Sequence, residues 1–458
     1  MQNTRSYRTR FVSNVALMMA LILSHSTSLA AYIEVTATIG GSGCDLVDAI
    51  NSANNDMSEG GCVAQSVYGD DTILLSPEIS VHTLTTVNID SLGATGLPLI
   101  TSDITIEGEG ANPARVERAD TPGIPKFRIF QVRSGGNLIL KNIRIAGGDV
   151  DGRGGGLFVV SGGVLTLSNS TVINNRADIG GGIANQDGSI LVSNSAIVDN
   201  HAFEAGSGSG GGINIRSVSG TASATVIDST ISANTARIGA GISIYGEDSS
   251  TSVINSTISD NHASANSGGG GIGINDFVTG MTVAVRNSVI SGNTHPINFS
   301  GQEIHRFGTA SDLSFEHNLI GHSELSTTQA VSDGLLGESN LLATSDGSVP
   351  TALLEIVLPL ADNGGSTLTH ALAKNSPAID AAIDGEIIQV FVFTLYLNGC
   401  RGEEIGPVTP LPPYRSDQRG IARPSGGACD IGSFEVEQDD SQCFVVKAAN
   451  NNVAMFCL

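Results

Sequence analysis

The chain has 458 residues, with 57 Gly, no Trp, and 45 acidic against 22 basic side chains, for a net charge of −23. Glycine at this level without a three-residue period excludes collagen, and 40% apolar content excludes a disordered chain. The acidic balance excludes a nucleic-acid partner, because phosphate contacts need a Lys/Arg surface.

Residues 1–30 read as a secretory signal peptide. Arg5, Arg8 and Arg10 precede an apolar stretch from Phe11 to Leu23, and Ser28-Leu29-Ala30 fits a small-x-small cleavage site. Its removal takes away three arginines and no acid, which brings the net charge to −26. No later run reaches the roughly 18 apolar residues of a membrane helix, so the mature chain is expected to have no transmembrane span.

Residues 31–94 read as an N-terminal cap. Leu46, Ala49, Ile50 and Ala53 share one helical face, which can lie across the first rung of whatever follows. Cys44 and Cys62 flank this helix; Cys400, Cys429, Cys443 and Cys457 lie near the other end. An even count in an exported chain favours disulfides, and Cys44–Cys62, Cys400–Cys429 and Cys443–Cys457 close the shortest loops. A zinc site has no Cys-x-x-Cys pair or neighbouring His cluster to support it.

Residues 95–330 carry a repeat. An alternating apolar stretch leads to Asn-Ser or a relative, and a second polar residue follows six positions later. The pairs are Asn169/Asn175, Asn194/Asn200, Asp228/Asn234, Asn255/Asn261 and Asn287/Asn293. Steps between copies vary: 25, 34, 27 and 32 residues. A Gly-Gly-Gly-Ile motif, or its Gly154-Gly-Gly-Leu or Gly239-Ala-Gly-Ile variant, precedes each copy. Period-two alternation means strands, and connections this short exclude helix crossovers. The remaining solution is a coil pairing in parallel with itself: an all-β, single-stranded, right-handed parallel β-helix of pectate-lyase-like type. The asparagines are expected to bend the chain and to hydrogen-bond their copies in the next rung. At about 4.8 Å per rung, roughly eight or nine rungs make a rod near 40 Å long. Gly-Gly-Gly leads into no helix, so it is no phosphate loop. Gly147-Gly-Asp149-Val-Asp151-Gly occurs once, which reads as an acidic surface loop rather than a Ca²⁺ site; no cofactor or metal is expected.

Residues 331–436 form a separate C-terminal region, and 437–458 read as a disulfide-clipped hairpin. The last residues, Phe456-Cys457-Leu458, carry no sorting motif or apolar tail. Release, or noncovalent retention through that hairpin, is the expectation.

Three groups of motifs carry a family resemblance. Cys44-Asp-Leu-Val-Asp-Ala-Ile50 with Gly69-Asp-Asp-Thr-Ile-Leu-Leu75 resembles the N-terminal Cys-Ser-Leu-Arg-Glu-Ala domain of bacterial surface proteins, departing from it at Asp45, Val47 and Asp48. The string Leu360-Ala-Asp-Asn-Gly-Gly365, Thr367-Leu-Thr-His370-Ala, Ser376-Pro-Ala-Ile-Asp380, Asp417-Gln-Arg419-Gly and Cys429-Asp430-Ile-Gly-Ser-Phe-Glu435 resembles the choice-of-anchor Q domain. The central repeats are similar to those of polymorphic outer-membrane adhesins. The resemblance implies an exported bacterial β-helix, secreted, periplasmic or displayed at the outer surface.

Enzymes built on parallel β-helices need acids grouped on one rod face, commonly beside aromatic platforms. The candidate acids are Asp178, Asp187, Asp199, Asp228, Glu247, Asp248, Asp260 and Asp276, and three of them belong to the repeat itself. His201 and His262 are two rungs apart, about 10 Å, too far to share a metal. His370, Asp380, Asp417, Arg419 and Asp430 combine a base, acids and a cation, but read as ion pairs and turn bonds closing the last rung. The sequence therefore points to a monomeric, non-catalytic surface or secreted module, adhesive or structural, meeting an extracellular protein or glycan surface. The alternative is a polysaccharide-active lyase or hydrolase.

Overall fold

The computed structural model describes residues 32–63, 70–203, 208–265, 268–277, 280–296, 300–309, 312–332, 335–383, 386–390, 393–397, 416–437, 443–447 and 453–457. Residues 1–31 (which include the segment read as a signal peptide), Cys400 and Leu458 lie outside these.

The chain forms a right-handed parallel β-helix of four sheets. The first has ten strands, from Tyr32–Val35 to Asp312–Glu316, and the second ten, from Val81–Leu84 to Leu341–Leu342. The third has five, from Asp149–Arg153 to His262–Ala263, and the fourth seven, from Phe130–Val132 to Ile304–Gly308. One turn runs Val164–Ser168, Thr171–Ile173, Arg176–Ile179 and Ile183–Gln186. The next strand, Ser189–Ser193, then pairs in parallel with Val164–Ser168, setting Leu165 beside Ile190 and Leu167 beside Val192. Alternation turns these apolar residues inward, where they stack without exposure through the rod.

The bends are built by two different ladders. Between the first and second sheets, Asn142, Asn169, Asn194, Asp228, Asn255 and Asn287 all take left-handed backbone, φ 44–54°. The residue after each of the later five is an inward serine. Ser170, Ser195, Ser229 and Ser256 each offer their backbone N–H to the serine Oγ of the next rung at 3.1–3.2 Å. Between the second and third sheets the inward residue is asparagine. Asn175, Asn200, Asn234 and Asn261 each donate Nδ2 to Oδ1 of the next rung, at 3.0, 3.0, 2.9 and 2.8 Å. So only the second asparagine of each repeat pair stacks amide on amide. The first holds the left-handed bend, a conformation asparagine tolerates better than most residues.

Glycine is required where the fourth sheet begins. Gly180 sits at φ +66°, and a Cβ on Gly182 would lie 2.7 Å from the Gly212 carbonyl and 3.0 Å from the Asn200 amide carbon. The arch can close on the asparagine ladder only without side chains.

Both ends are covered. Helix α1 (Leu46–Asn55) starts on Asp45, whose carboxylate accepts from Val47 N and Asp48 N, and buries Leu46, Ala49, Ile50 and Ala53. A Cys44–Cys62 disulfide fixes it. At the far end Leu325, Ala330, Val331 and Leu335 join the core.

The C-terminal region departs from the expectation that it closes the last rung. Residues 353–383 and 416–437 run back along the rod, on the outer face of the second sheet. A second core forms there from Val289, Leu319, Ile356, Val357, Leu372, Ala378, Cys429 and Ile431. The cause is that outer face itself: Thr171, Ala196, Thr230, Thr257, Val289 and Leu319 are small or apolar and need cover. Two antiparallel strand pairs interrupt and follow these C-terminal segments: Glu386–Val390 with Phe393–Leu397 lies between them, and Cys443–Lys447 with Val453–Cys457 comes after, with Cys443 opposite Cys457.

Asn234 is the middle of the amide ladder. Its Oδ1 accepts from Asn200 N and Nδ2, and its Nδ2 also reaches the Ile197 carbonyl. Asn234→Ala leaves buried groups on two rungs unpaired and is expected to lower unfolding stability by about 3 kcal/mol. Thr235→Ala beside it, at the surface, should change stability by less than about 0.5 kcal/mol in the same denaturant titration.

Candidate functional surface

Two of the four outer faces are closed. The second sheet lies under the C-terminal layer. On the fourth, the outward Phe158, Ala184, Asn214 and Ser243 are buried beneath the glycine arches, with Gly180 backing on Ala184 and Gly239 on Ser243.

Among the described residues the first sheet is open only along part of its width: outward Ser193, Thr225, Ile227 and Ile254 are buried, while Val164, Thr166, Ser189, Leu191, Ser223, Ser250 and Ser252 are at least partly exposed. Its central outward column runs Ile139, Thr166, Leu191, Thr225, Ser252, Ala284. Beside it run Val164, Ser189, Ser223, Ser250 and Thr282, with Ser189 Oγ 2.9 Å from Ser223 Oγ and Thr282 donating to Ser250 at 3.1 Å. Charges on this face sit at its two ends, where Lys141 meets Glu107 at 3.7 Å and Arg286 meets Glu316 at 3.4 Å. The strands between carry no acid and form a neutral hydroxyl and aliphatic plane. Tyr245 and Phe277, 40% and 71% exposed, stand on the corner beside it.

The third sheet carries a charged column: Asp149, Arg176, His201, Thr235, His262. Arg176 lies over the Phe203 ring at 3.9 Å, and Lys126 pairs with Asp151 at 2.5 Å. Thr235 separates the two histidines; His201 Nδ1 bonds to Thr235 and His262 Nδ1 to Thr294. Burial and the neighbouring Arg176 hold His201 below its usual pKa. Among the described residues no group of three or more His, Cys, Asp or Glu could hold a metal ion.

Four of the eight candidate acids, Asp187, Glu247, Asp248 and Asp276, fall at the corner leading from the fourth sheet back to the first. Asp187 is buried and organises a turn, accepting from Val218 N, Ser219 N and Gly220 N. Asp199 and Asp260 hold left-handed bends between the second and third sheets, at φ 53° and 60°. Asp178 lies on the third sheet, while Glu247, Asp248 and Asp276 lie at the corner leading back to the first. Asp228 is buried under the C-terminal layer and pairs with Arg423 at 3.5 Å. The other four thus lie on the third sheet (Asp178), at the second-to-third bends (Asp199, Asp260) and under the C-terminal layer (Asp228).

The C-terminal set is held in that layer. His370 bonds through Nε2 to Ser232 Oγ at 2.8 Å and through Nδ1 to the Leu358 carbonyl at 2.7 Å. Asp417 pairs with Arg419 at 2.6 Å and accepts from Arg419, Ile421 and Glu435 backbone N–H groups. Asp430 accepts from Asp380 N and Val436 N, and Asp380 from Ala428 N. Each carboxylate is occupied by backbone donors. Cys429 is disulfide-bonded; its proposed partner Cys400 lies outside the described residues, as do the side chains of Cys443 and Cys457.

Sequence reasoning missed Glu303. It takes the next place after Asn293 in the amide ladder: Oε2 accepts from Asn293 N and Nδ2 at 3.1 and 2.6 Å, and Oε1 from Gly292 N at 2.9 Å. Burial pushes its pKa up to about 8, against the pull of these donors. The only signal is its place in the repeat: Gln302-Glu303-Ile304 stands where earlier turns have Gly-Gly-Ile or a variant of it, with Glu303 aligned to Gly271.

A family model described as a right-handed β-helix region matches residues 78–258. Among solved structures, the crystal structure of the pectate lyase Pel9A is similar at 16% identity, covering 90% of this chain and 98% of that one with a TM-score of 0.48. No curated protein is significantly similar to the chain.

Glu303 makes the rod's stability pH-dependent. Its folded pKa lies above the ordinary 4.5, so the folded state holds the proton more tightly. Its contribution is complete below about pH 4.5 and is lost as pH rises through about 8. Urea midpoints are expected to fall across that window, and Glu303→Gln should flatten the fall.

Proposed function

We propose that this is an exported, non-catalytic bacterial β-helix, secreted or held at the cell surface, that works by contact with an extracellular protein or glycan surface. The observation that carries this reading is the commitment of its acids. Asp187, Asp228, Asp380, Asp417 and Asp430 each bind turns or arginines. Paired-carboxylate chemistry needs two of them on one substrate. The signal-peptide pattern and the resemblance to surface β-helices support export. No described helix is long and apolar enough to cross a membrane.

The contact surface is the open plane of the first sheet. It is broad, neutral and rigid, and offers hydroxyls beside aliphatic side chains. A polysaccharide-active enzyme is the second reading, favoured by exposed Tyr245 and Phe277 beside Glu247 and Asp248 on the adjoining corner.

Cell fractionation is expected to place the chain in the periplasm, outer surface or medium; a cytoplasmic location defeats the export claim. Incubation with a panel of acidic and neutral glycans should release no reducing ends or unsaturated products. Thr166→Arg with Ser252→Arg is expected to weaken binding to cells or glycan surfaces roughly tenfold. Product release from any glycan would favour the second reading.

A further inference from the structure

The C-terminal layer touches five successive rungs of the rod. Ser366 reaches the Asn169 carbonyl, Asn194 Nδ2 reaches the Asp417 carbonyl, and Thr230 Oγ1 bonds to Gln418 at 2.6 Å. Thr257 Oγ1 accepts from Ser433 N at 3.1 Å, and Asn287 Nδ2 donates to the Ile383 carbonyl at 3.2 Å. Some of these contacts survive a shift of one rung because the rod repeats, but a shift either way sets Ala196 or Val289 opposite a group that now bonds to Thr230 or Thr257.

One further contact does not survive it. The left-handed bend column reads Asn169, Asn194, Asp228, Asn255, Asn287. The single acid in it is the residue that meets Arg423. Arg423 in turn pairs with Glu435 at 3.4 Å and donates to the carbonyls of Asp430 and Gly432. Asp228, Arg423, Asp430, Glu435 and Asp417 are all buried, and Arg419 pairs with Asp417. The cluster therefore sets four carboxyls against two guanidiniums.

We propose that the C-terminal layer is a proton-controlled clasp: Asp228 fixes its register against Arg423, and the clasp loosens from the second sheet as the buried carboxyls ionise.

The direction follows from the neighbours. Burial raises Asp228 to about 7; Arg423 and an Asn255 hydrogen bond oppose the rise, while Asp417 and Glu435 add to it. Burial raises Asp430 and Glu435 as well. Undocked, Asp228 sits on an exposed bend and returns toward 3.8. Docking through Asp228 then weakens by up to tenfold per pH unit between about 4 and 7, and is unchanged by this group above that. His370 at the same interface is held below its usual pKa by burial, so its protonation acts in the opposite sense at acid pH. Comparison with a variant at Asp228 separates the two.

The chain has no Trp, so Phe434→Trp gives a single reporter in the layer, packed against the Arg419 guanidinium. Acrylamide quenching is expected to rise from about pH 5 to about pH 7.5 while far-UV circular dichroism stays constant. Asp228→Asn restores the residue of the neighbouring rungs and should reduce the pH slope of docking by up to tenfold per unit. Quenching that does not change with pH, or an Asp228→Asn slope equal to the parent's, overturns the proposal. Should Asp228→Asn fail to fold, the titration of the parent reporter alone decides.

Discussion

A parallel coil must satisfy the backbone of its own corners. At each bend the chain leaves one sheet before entering the next, and its N–H groups turn inward, away from water. Buried unpaired amides cost about 1–3 kcal/mol each. Asparagine meets this need because its side chain carries both a donor and an acceptor. Asn200, for example, accepts from Asn175 N and Nδ2 while donating to Asn234. The chain of amides works only if every rung presents its asparagine at the same place, so in-register stacking is imposed by the bend rather than by the strands. The six-residue spacing within each repeat pair follows: a left-handed residue, an inward serine, a three-residue strand, a second left-handed residue, then the inward asparagine. The remaining arc is free of this constraint, and there the repeat length varies.

A ladder of this kind needs ends that break the pattern. At the near end Gly148 N donates to Asn175 Oδ1 at 2.9 Å, so a backbone amide completes the row. At the far end Asn293 has unused donors, and a carboxyl supplies acceptors without needing a further rung. Glu303 occupies that place. The serine ladder ends differently, passing from Ser288 to Asn318 and then Asn340 at 3.0 Å each. Both terminations lie within a few rungs of the segment that caps the hydrophobic core. The polar and apolar cores therefore stop together.

Much of this was legible in the sequence because it repeats. Five copies of the asparagine pair, the glycine arches and the apolar face of α1 each follow from a local rule. The C-terminal layer was not legible as a lateral layer. Its motifs were visible, but their partner surface is spread over strands of two or three residues, too short for alternation to reveal which faces are covered. Ala196-Ile-Val198 and Thr171-Val-Ile173 do carry apolar residues on both faces, the pattern of a strand buried on both sides. Asp228 likewise looked like one more bend residue. Its meaning depends on Arg423, which lies 195 positions away in the chain.

The layer also decides which part of the rod can act. A bare β-helix offers equivalent flanks, and any of them could receive a partner. Here the second sheet is occupied by the chain's own C-terminal region and the fourth is folded under glycine. The third is short and carries charged groups, with Lys126 paired to Asp151 and Arg176 over the Phe203 ring. What remains is the first sheet, whose central rungs exclude charge while both of its ends carry ion pairs. Neutral residues on a rigid parallel sheet lose little entropy on contact and present no unpaired charge to be desolvated. If the proposed contact function holds, such a plane suits a partner that is itself extended and regular, and recognition would rest on the same in-register stacking that the asparagine ladder enforces.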